Sequence, residues 1–312
     1  MEHSSRKFAA ILCLCAGIAI FSVQDLILKL ISDRYPLSEA MVLRSLAAIP
    51  CLLVLVRVLD GGFPGLISRG WPMMLWRGIL NFLAYTAYYL ALAALPMATT
   101  VALYFTAPLF ITLLAVLWLG ERVALHRWVA LGLGFLGVVI MVRPGALFDP
   151  AALLPVFCGL AYALSMVMAR RMGQKDSAAA MAFWGNLAFL GCSLGLALAF
   201  GSGAMEAGLH PSLSFLTRAW VTPTATDAAL MAACGLIAAV GLTLLTQAYR
   251  IGASATVAPF EFTFAFWGVL WGWLFFDQLP DGMGWVGMAV IIAAGTYVVT
   301  TERADPPGKE VF

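Results

Sequence analysis

Few residues in this 312-residue chain are able to do chemistry, and most of them lie inside long apolar runs. Asp25 and Lys29 are four apart, which on a helix places both on one face. Arg44 falls in the next apolar run. The three form either a charge-neutralised cluster or an ion pair that pins two neighbouring helices. Lys29 is also near the end of its run, so its long stem lets the ammonium reach the interface. Glu261 is more isolated, two residues after Pro259, whose ring frees a backbone carbonyl. It suits a substrate amine or a coupling proton, or it is a structural partner for Arg77 or another cation. Asn81, Tyr85 and Tyr88 share one helical face. Tyrosine there offers a metabolite both a ring and a hydroxyl, although an interfacial aromatic belt has the same composition. Tyr104, Trp184, Asn186, Gln247 and Trp267 complete the candidates, with helix packing as the competing role of each.

Other chemistries find no footing. The histidines are only His3, His126 and His210, and the six cysteines all fall in apolar runs, so neither a metal site nor a disulfide framework is expected. No cofactor is implied. The chain has no His-Glu-x-x-His, Gly-x-Ser-x-Gly or Walker A sequence, which argues against an enzyme and against direct ATP drive. Gly132 to Gly137 matches the dinucleotide fingerprint in spelling. It lies within an apolar run with no preceding strand, where small residues instead let helices approach.

Elements that could position these groups follow from composition. The chain is 62% hydrophobic and 11% charged, with a mean hydropathy of +0.94. A soluble domain is about half apolar and about a quarter charged, so the surrounding solvent must be lipid. A spanning helix takes roughly 20 apolar residues, and the sequence predicts ten: 8–31, 37–59, 72–93, 98–118, 125–142, 150–170, 178–200, 228–249, 255–276 and 283–300. Turn residues or charges mark the breaks, including Asp33 to Pro36, Asp60-Gly61-Gly62, Arg143-Pro144-Gly145 and Asp281-Gly282. Arg6 and Lys7 precede an apolar run long enough to span, so the first helix is expected to remain uncleaved. With the N-terminus inside, twelve Lys and Arg fall on the cytoplasmic side and only Arg34, Arg143 and Arg218 in loops opposite. Both termini are then cytoplasmic. A net charge of +2 gives no reason to expect a nucleic-acid partner.

The second half of the chain echoes the first. Thr100-Val101-Ala102-Leu103-Tyr104 matches Thr256-Val257-Ala258-Pro259-Phe260 at an offset of 156, the same offset carries Glu121 to Asp277, and Trp128 meets Trp285 after a one-residue slip. Five spans per half make the repeats inverted, an all-α integral membrane architecture of residues 1–145 and 146–303 with a short tail, 304–312. Such repeats place a substrate site at their interface near the bilayer midplane.

Leu92 to Met141 resembles the EamA repeat of the drug/metabolite transporter superfamily. An apolar span with Pro108 leads to Leu119-Gly120-Glu121-Arg122, and Trp128 then opens a glycine-rich helix ending Gly137-Val138. Lys29 and Arg44 stand at the family's lysine and arginine positions, whereas Phe21-Ser22 replaces its usual Trp-Gly and Asp25 a common aromatic. The run Phe21-Ser22-Val23-Gln24-Asp25 to Lys29 resembles a branch that transports amino acids and cofactors such as S-adenosylmethionine or riboflavin. The resemblance implies a secondary transporter of a bacterial inner membrane, working by alternating access, with proton coupling an open option. Its expected task is amino-acid export, with uptake of a cofactor or metabolite as the alternative. The cavity is expected between spans 1, 3, 4, 6, 8 and 9.

Overall fold

Where lipid is the solvent, a chain must satisfy its backbone polar groups internally, and long apolar runs do so as helices. The computed structural model describes residues 2–66, 68, 70–142, 149–173, 175–205, 210–277, 279 and 282–304. The expected break at Arg143-Pro144-Gly145, together with Arg69, Asp281 and the tail from 305 onward, lies outside the described residues. Among those described the fold is all-helical and contains no strand: α1 Glu2–Ile31, α2 Leu37–Leu59, α3 Trp71–Ala94, α4 Met97–Tyr104, α5 Ala107–Leu119, α6 Leu125–Val142, α7 Leu153–Met172, α8 Ala178–Phe200, α9 Pro211–Thr217, α10 Ala225–Ile251, α11 Ser254–Val257, α12 Phe264–Phe276 and α13 Gly282–Ala304. Six segments combine the length and apolarity needed to cross a membrane: Arg6–Ile31, Leu37–Leu59, Thr99–Leu119, Pro150–Met172, Ala178–Phe200 and Ala225–Ile251. The Gly132 to Gly137 motif lies within α6, not in a strand-to-helix turn.

Two expected spans are broken helices. Residues 98–118 divide into α4 and α5 around Phe105-Thr106. Pro108, which has no N–H to return to Tyr104, sits in the first turn of α5, where that donor is not needed. Residues 255–276 divide into α11, a 3-10 stretch Ala258–Thr263 with Pro259 in its first turn, and α12. Glu261 therefore sits on a tightened, non-α segment. Both broken spans end on a left-handed residue, Gly120 at φ 65° and Asp277 at φ 53°. Asp277 thus fills the place of Gly120 in the cap.

Packing pairs α1 with α10 and α3 with α7, α2 with α10 and α3 with α8, and α6 with α13. Two glycines let helix backbones approach closely. A Cβ on Gly78 of α3 would lie 2.7 Å from Gly185 O and Ala188 Cβ of α8. One on Gly235 of α10 would meet the Arg44 carbonyl and lie 2.8 Å from Ala47 Cβ of α2. The obstacles include backbone, which cannot swing aside. Gly235→Ala is accordingly expected to destabilise the protein by about 1–3 kcal/mol, seen as a lower melting midpoint in detergent. An unchanged midpoint would show that α2 and α10 have slack. Around the outside, large apolar side chains such as Leu198 (88% exposed) point away from the protein, as a lipid-facing surface requires.

Polar links tie both ends of the bundle. At one end Arg218 donates to Ser32 O (2.7 Å), the Tyr35 hydroxyl to Asp227 (2.7 Å), and Trp220 Nε1 to Ser38 Oγ (3.0 Å). Nearby, Asp149 accepts from Ala151 N (2.8 Å) and lies 3.2 Å from His210 Nε2. That backbone N–H, aided by His210, holds the Asp149 carboxyl below its usual range. At the other end Ser68 donates to Asp176 and Ser177 to Asp60. Arg250 Nε there reaches Asp176 O (3.0 Å) and Gly173 O (3.2 Å).

Candidate functional site

Between these ends lies a cavity with about 50 Å³ of free space, room for a few water molecules. Its walls are Ile18, Phe21 and Asp25 of α1, Ala84, Tyr85 and Tyr88 of α3, Tyr104 of α4, Cys158 and Tyr162 of α7, Leu245 of α10, Glu261 of the 3-10 stretch and Phe264 of α12. These elements coincide with the sequence's spans 1, 3, 4, 6, 8 and 9. Aromatic rings make a continuous lining. Phe21 stacks on Tyr85 at 5.6 Å, and Tyr104 meets Tyr88, Tyr162 and Phe264 edge-on at 5.9, 5.8 and 6.0 Å. Edge-to-face contacts of this kind fix ring orientation as well as adding attraction.

Glu261 is the polar centre of this lining. It is 2% exposed, and its Oε1 accepts from the hydroxyls of Tyr249 (2.8 Å) and Tyr162 (3.0 Å). Bonds to a carboxylate are stronger than neutral ones. The 3-10 geometry after Pro259 aims this carboxylate inward between α7 and α10. Among the described residues no ion pair joins Glu261 to Arg77, so the expected structural pairing is not made. Arg77 is fully buried elsewhere, donating from Nε to Ser165 O (3.1 Å) and from Nη2 to Thr246 Oγ1 (2.6 Å).

Asp25 lines the same cavity but does not pair with Lys29 or Arg44 among the described residues. The expected three-residue cluster is dispersed. Lys29 Nζ donates to Leu92 O (2.9 Å) and Leu95 O (3.3 Å), satisfying carbonyls at the α3 C-terminus. Arg44 lies over the rings of Phe189 (4.3 Å) and Tyr85 (5.7 Å). There it shares a smaller cavity with Asn81, Asn186, Phe189 and Tyr85. Asn186 Nδ2 is used on Ser45 O (2.9 Å).

Five expected site residues line neither cavity. Gln24 donates to the Tyr89 hydroxyl behind the wall. Lys29 serves as a helix-end donor, as above. Trp184 gives its indole N–H to Leu66 O (2.9 Å) and packs on Trp71 near a helix end. Gln247 accepts from Arg250 (3.2 Å). Trp267 stacks on Trp271 at 6.0 Å. Gln24, Lys29 and Trp184 are held by partners on other elements, Gln247 and Trp267 by neighbours on their own helices. In turn the sequence reading passed over Tyr162, Tyr249, Cys158 and Phe264. Cys158 and Tyr162 are four apart on α7 and share a face, the one signal that was available.

The EamA-like transporter family model matches residues 8–143. A riboflavin transporter of Rhizobium johnstonii is 34% identical over 73% of this chain and 70% of its own length. An S-adenosylmethionine uptake transporter of Rickettsia prowazekii is 25% identical over 75% of this chain and 73% of its own. A pseudopaline exporter of Pseudomonas aeruginosa is 25% identical over 91% and 93%. One solved crystal structure superposes with a TM-score of 0.69 over 98% of this chain and 99% of that one at 17% identity, a likeness of fold. The helical architecture, the lipid-facing exterior and these relatives agree: the chain is a membrane protein of the EamA-like transporter family, in the drug/metabolite transporter superfamily.

Proposed function

We propose that this protein is a secondary transporter of ten membrane-spanning segments in two inverted five-span repeats, and that it carries a ring-bearing cofactor or related metabolite. The observation that carries the substrate reading is the central cavity, where four tyrosines and two phenylalanines surround the carboxylates of Asp25 and Glu261. Stacking surfaces with a few directed polar groups suit a flat heterocycle that is neutral or cationic. Relatives named for riboflavin and S-adenosylmethionine support this class. Amino-acid export is the first expectation from sequence, but the relatives described above are named for other cargoes. Export remains a second reading, because the pseudopaline exporter matches most of the chain.

The repeat is supported by packing that exchanges under the pairing of spans 1–5 with 6–10. The α1–α10 contact mirrors α3–α7, and α2–α10 mirrors α3–α8. Gly78 and Gly235 are 157 residues apart and each admits its neighbour at the matching contact. The left-handed caps Gly120 and Asp277 have the same separation, as do Trp128 and Trp285. The lysine and arginine bias favours cytoplasmic termini and an inner-membrane setting. A pocket for a metabolite of this size spans about 300 Å³ or more, so the cavity must widen to bind. Breaking the polar links at one end and then the other would give alternating access.

The test is uptake into proteoliposomes of labelled riboflavin, S-adenosylmethionine and an amino-acid panel, with and without a pH gradient. Saturable uptake of a ring-bearing cofactor above that of amino acids is expected. Amino acids moving while both cofactors stay out would overturn the substrate class. A rate unmoved by the pH gradient would remove proton coupling.

A further inference from the structure

Arg44 is 2% exposed and Asn81 1%, and both line the smaller cavity beside Tyr85. Arg44 Nε and Nη1 have no hydrogen-bond partner among the described residues, nor do Oδ1 and Nδ2 of Asn81. Among the described residues no carboxylate lies within ion-pair distance of the guanidinium. The Phe189 and Tyr85 rings offset part of the cation's loss of water. They do not supply the countercharge that a buried guanidinium ordinarily has. Asp25 on α1 attracts the guanidinium only at longer range, with no hydrogen bond or ion pair between them among the described residues. Polar groups buried without partners are rare in folded proteins. Four such atoms facing one small cavity describe a site whose partner is not part of the chain.

We propose that Arg44 and Asn81 form a subsite for a carboxylate carried by the substrate. Tyr85, which lines both cavities, divides this acid-binding pocket from the aromatic cavity that takes the substrate's body. The guanidinium edge offers parallel N–H donors that match the two oxygens of a carboxylate, and the Asn81 amide adds another. Asp25 and Glu261 stand on the far side of Tyr85, placed for the cationic part of the same molecule. A metabolite with a ring, an amine and an acid would engage all three regions. This deepens the transport reading and rests on it for the substrate, though not for the unpartnered charge itself.

The experiment is ligand-induced thermal stabilisation of the purified full chain, using molecules that differ only in the acid. The probes are S-adenosylmethionine and its decarboxylated counterpart, tryptophan and tryptamine, and riboflavin as a ring without a carboxylate. At least one acid is expected to bind about tenfold more tightly than its decarboxylated partner. Arg44→Gln should erase that preference, and Arg44→Lys should keep part of it. Asn81→Asp supplies the missing countercharge within the chain. It should raise the melting midpoint of the ligand-free protein and abolish the stabilisation by acids. Equal binding within both pairs, or no stabilisation by either acid, would overturn the subsite. So would an Asn81→Asp midpoint at or below that of the wild type. If instead no compound is taken up into proteoliposomes, the transport reading fails, while the Asn81→Asp midpoint still decides whether Arg44 lacks a partner.

Discussion

Glu261→Gln is expected to leave the protein folded and to slow transport roughly tenfold to a hundredfold. Glutamine keeps an oxygen where Tyr162 and Tyr249 donate, at 3.0 and 2.8 Å, so the link between the 3-10 stretch, α7 and α10 survives. What is lost is the charge. A hydrogen bond to an ionised group contributes about 1.5–3 kcal/mol, and about 1.4 kcal/mol is a factor of ten. Glu261→Ala removes the acceptor as well and strands two buried hydroxyls, so it should lower the melting midpoint in addition to stopping transport. The two variants therefore separate the carboxylate's chemistry from its structural part. The measurement is initial uptake rate in proteoliposomes, beside melting in detergent. Wild-type uptake by Glu261→Gln would reduce this carboxylate to a packing element, and the cavity would then need another polar centre.

Arg77→Ala should be the most damaging single change in the protein. Arg77 is fully buried and joins α3 to α7 through Ser165 O and to α10 through Thr246 Oγ1. Truncation opens a large void and costs about 3–5 kcal/mol, the range for emptying a well-packed core site. Arg77→Met separates the causes. Methionine restores most of the volume and removes a charge that has no carboxylate beside it, and burying such a charge is itself costly by several kcal/mol. Arg77→Met is therefore expected to melt well above Arg77→Ala, close to the wild type or higher. It should still transport poorly, because the tie between three cavity-forming helices is gone. If both variants are equally unstable, the hydrogen bonds rather than the packed volume hold this crossing together.

Much of the site's address was legible before its geometry was. Asp25, Tyr85, Tyr88, Tyr104 and Glu261 stand out in the sequence because polar or tyrosine side chains inside apolar runs need a reason to be there, and all five line the central cavity. Lys29, Gln247 and Trp184 stood out by the same rule and are elsewhere. Their polar atoms are taken by Leu92 O and Leu66 O, backbone partners remote in sequence, and by the side chain of Arg250, three residues from Gln247. Tyr162 and Tyr249 meet the same rule without being among the candidates, and their part shows only when the Glu261 carboxylate is seen opposite their hydroxyls.

By itself, the sequence determines the solvent and the elements. Lipid forbids unsatisfied backbone, so hydropathy and length dictate where helices run, while it is the structure that breaks the spans of Pro108 and Pro259 and lets α2 run on through Pro50. The sequence does not determine which side of each helix faces inward. A helix that is apolar all round carries little amphipathic signal, and in lipid the inner face is chosen by close packing and by polar groups finding one another. That choice belongs to the tertiary structure. It brings Gly78 and Gly235 against their neighbours, sets two tyrosines on Glu261, and leaves Arg44 over the Phe189 and Tyr85 rings in a pocket lined by no carboxylate.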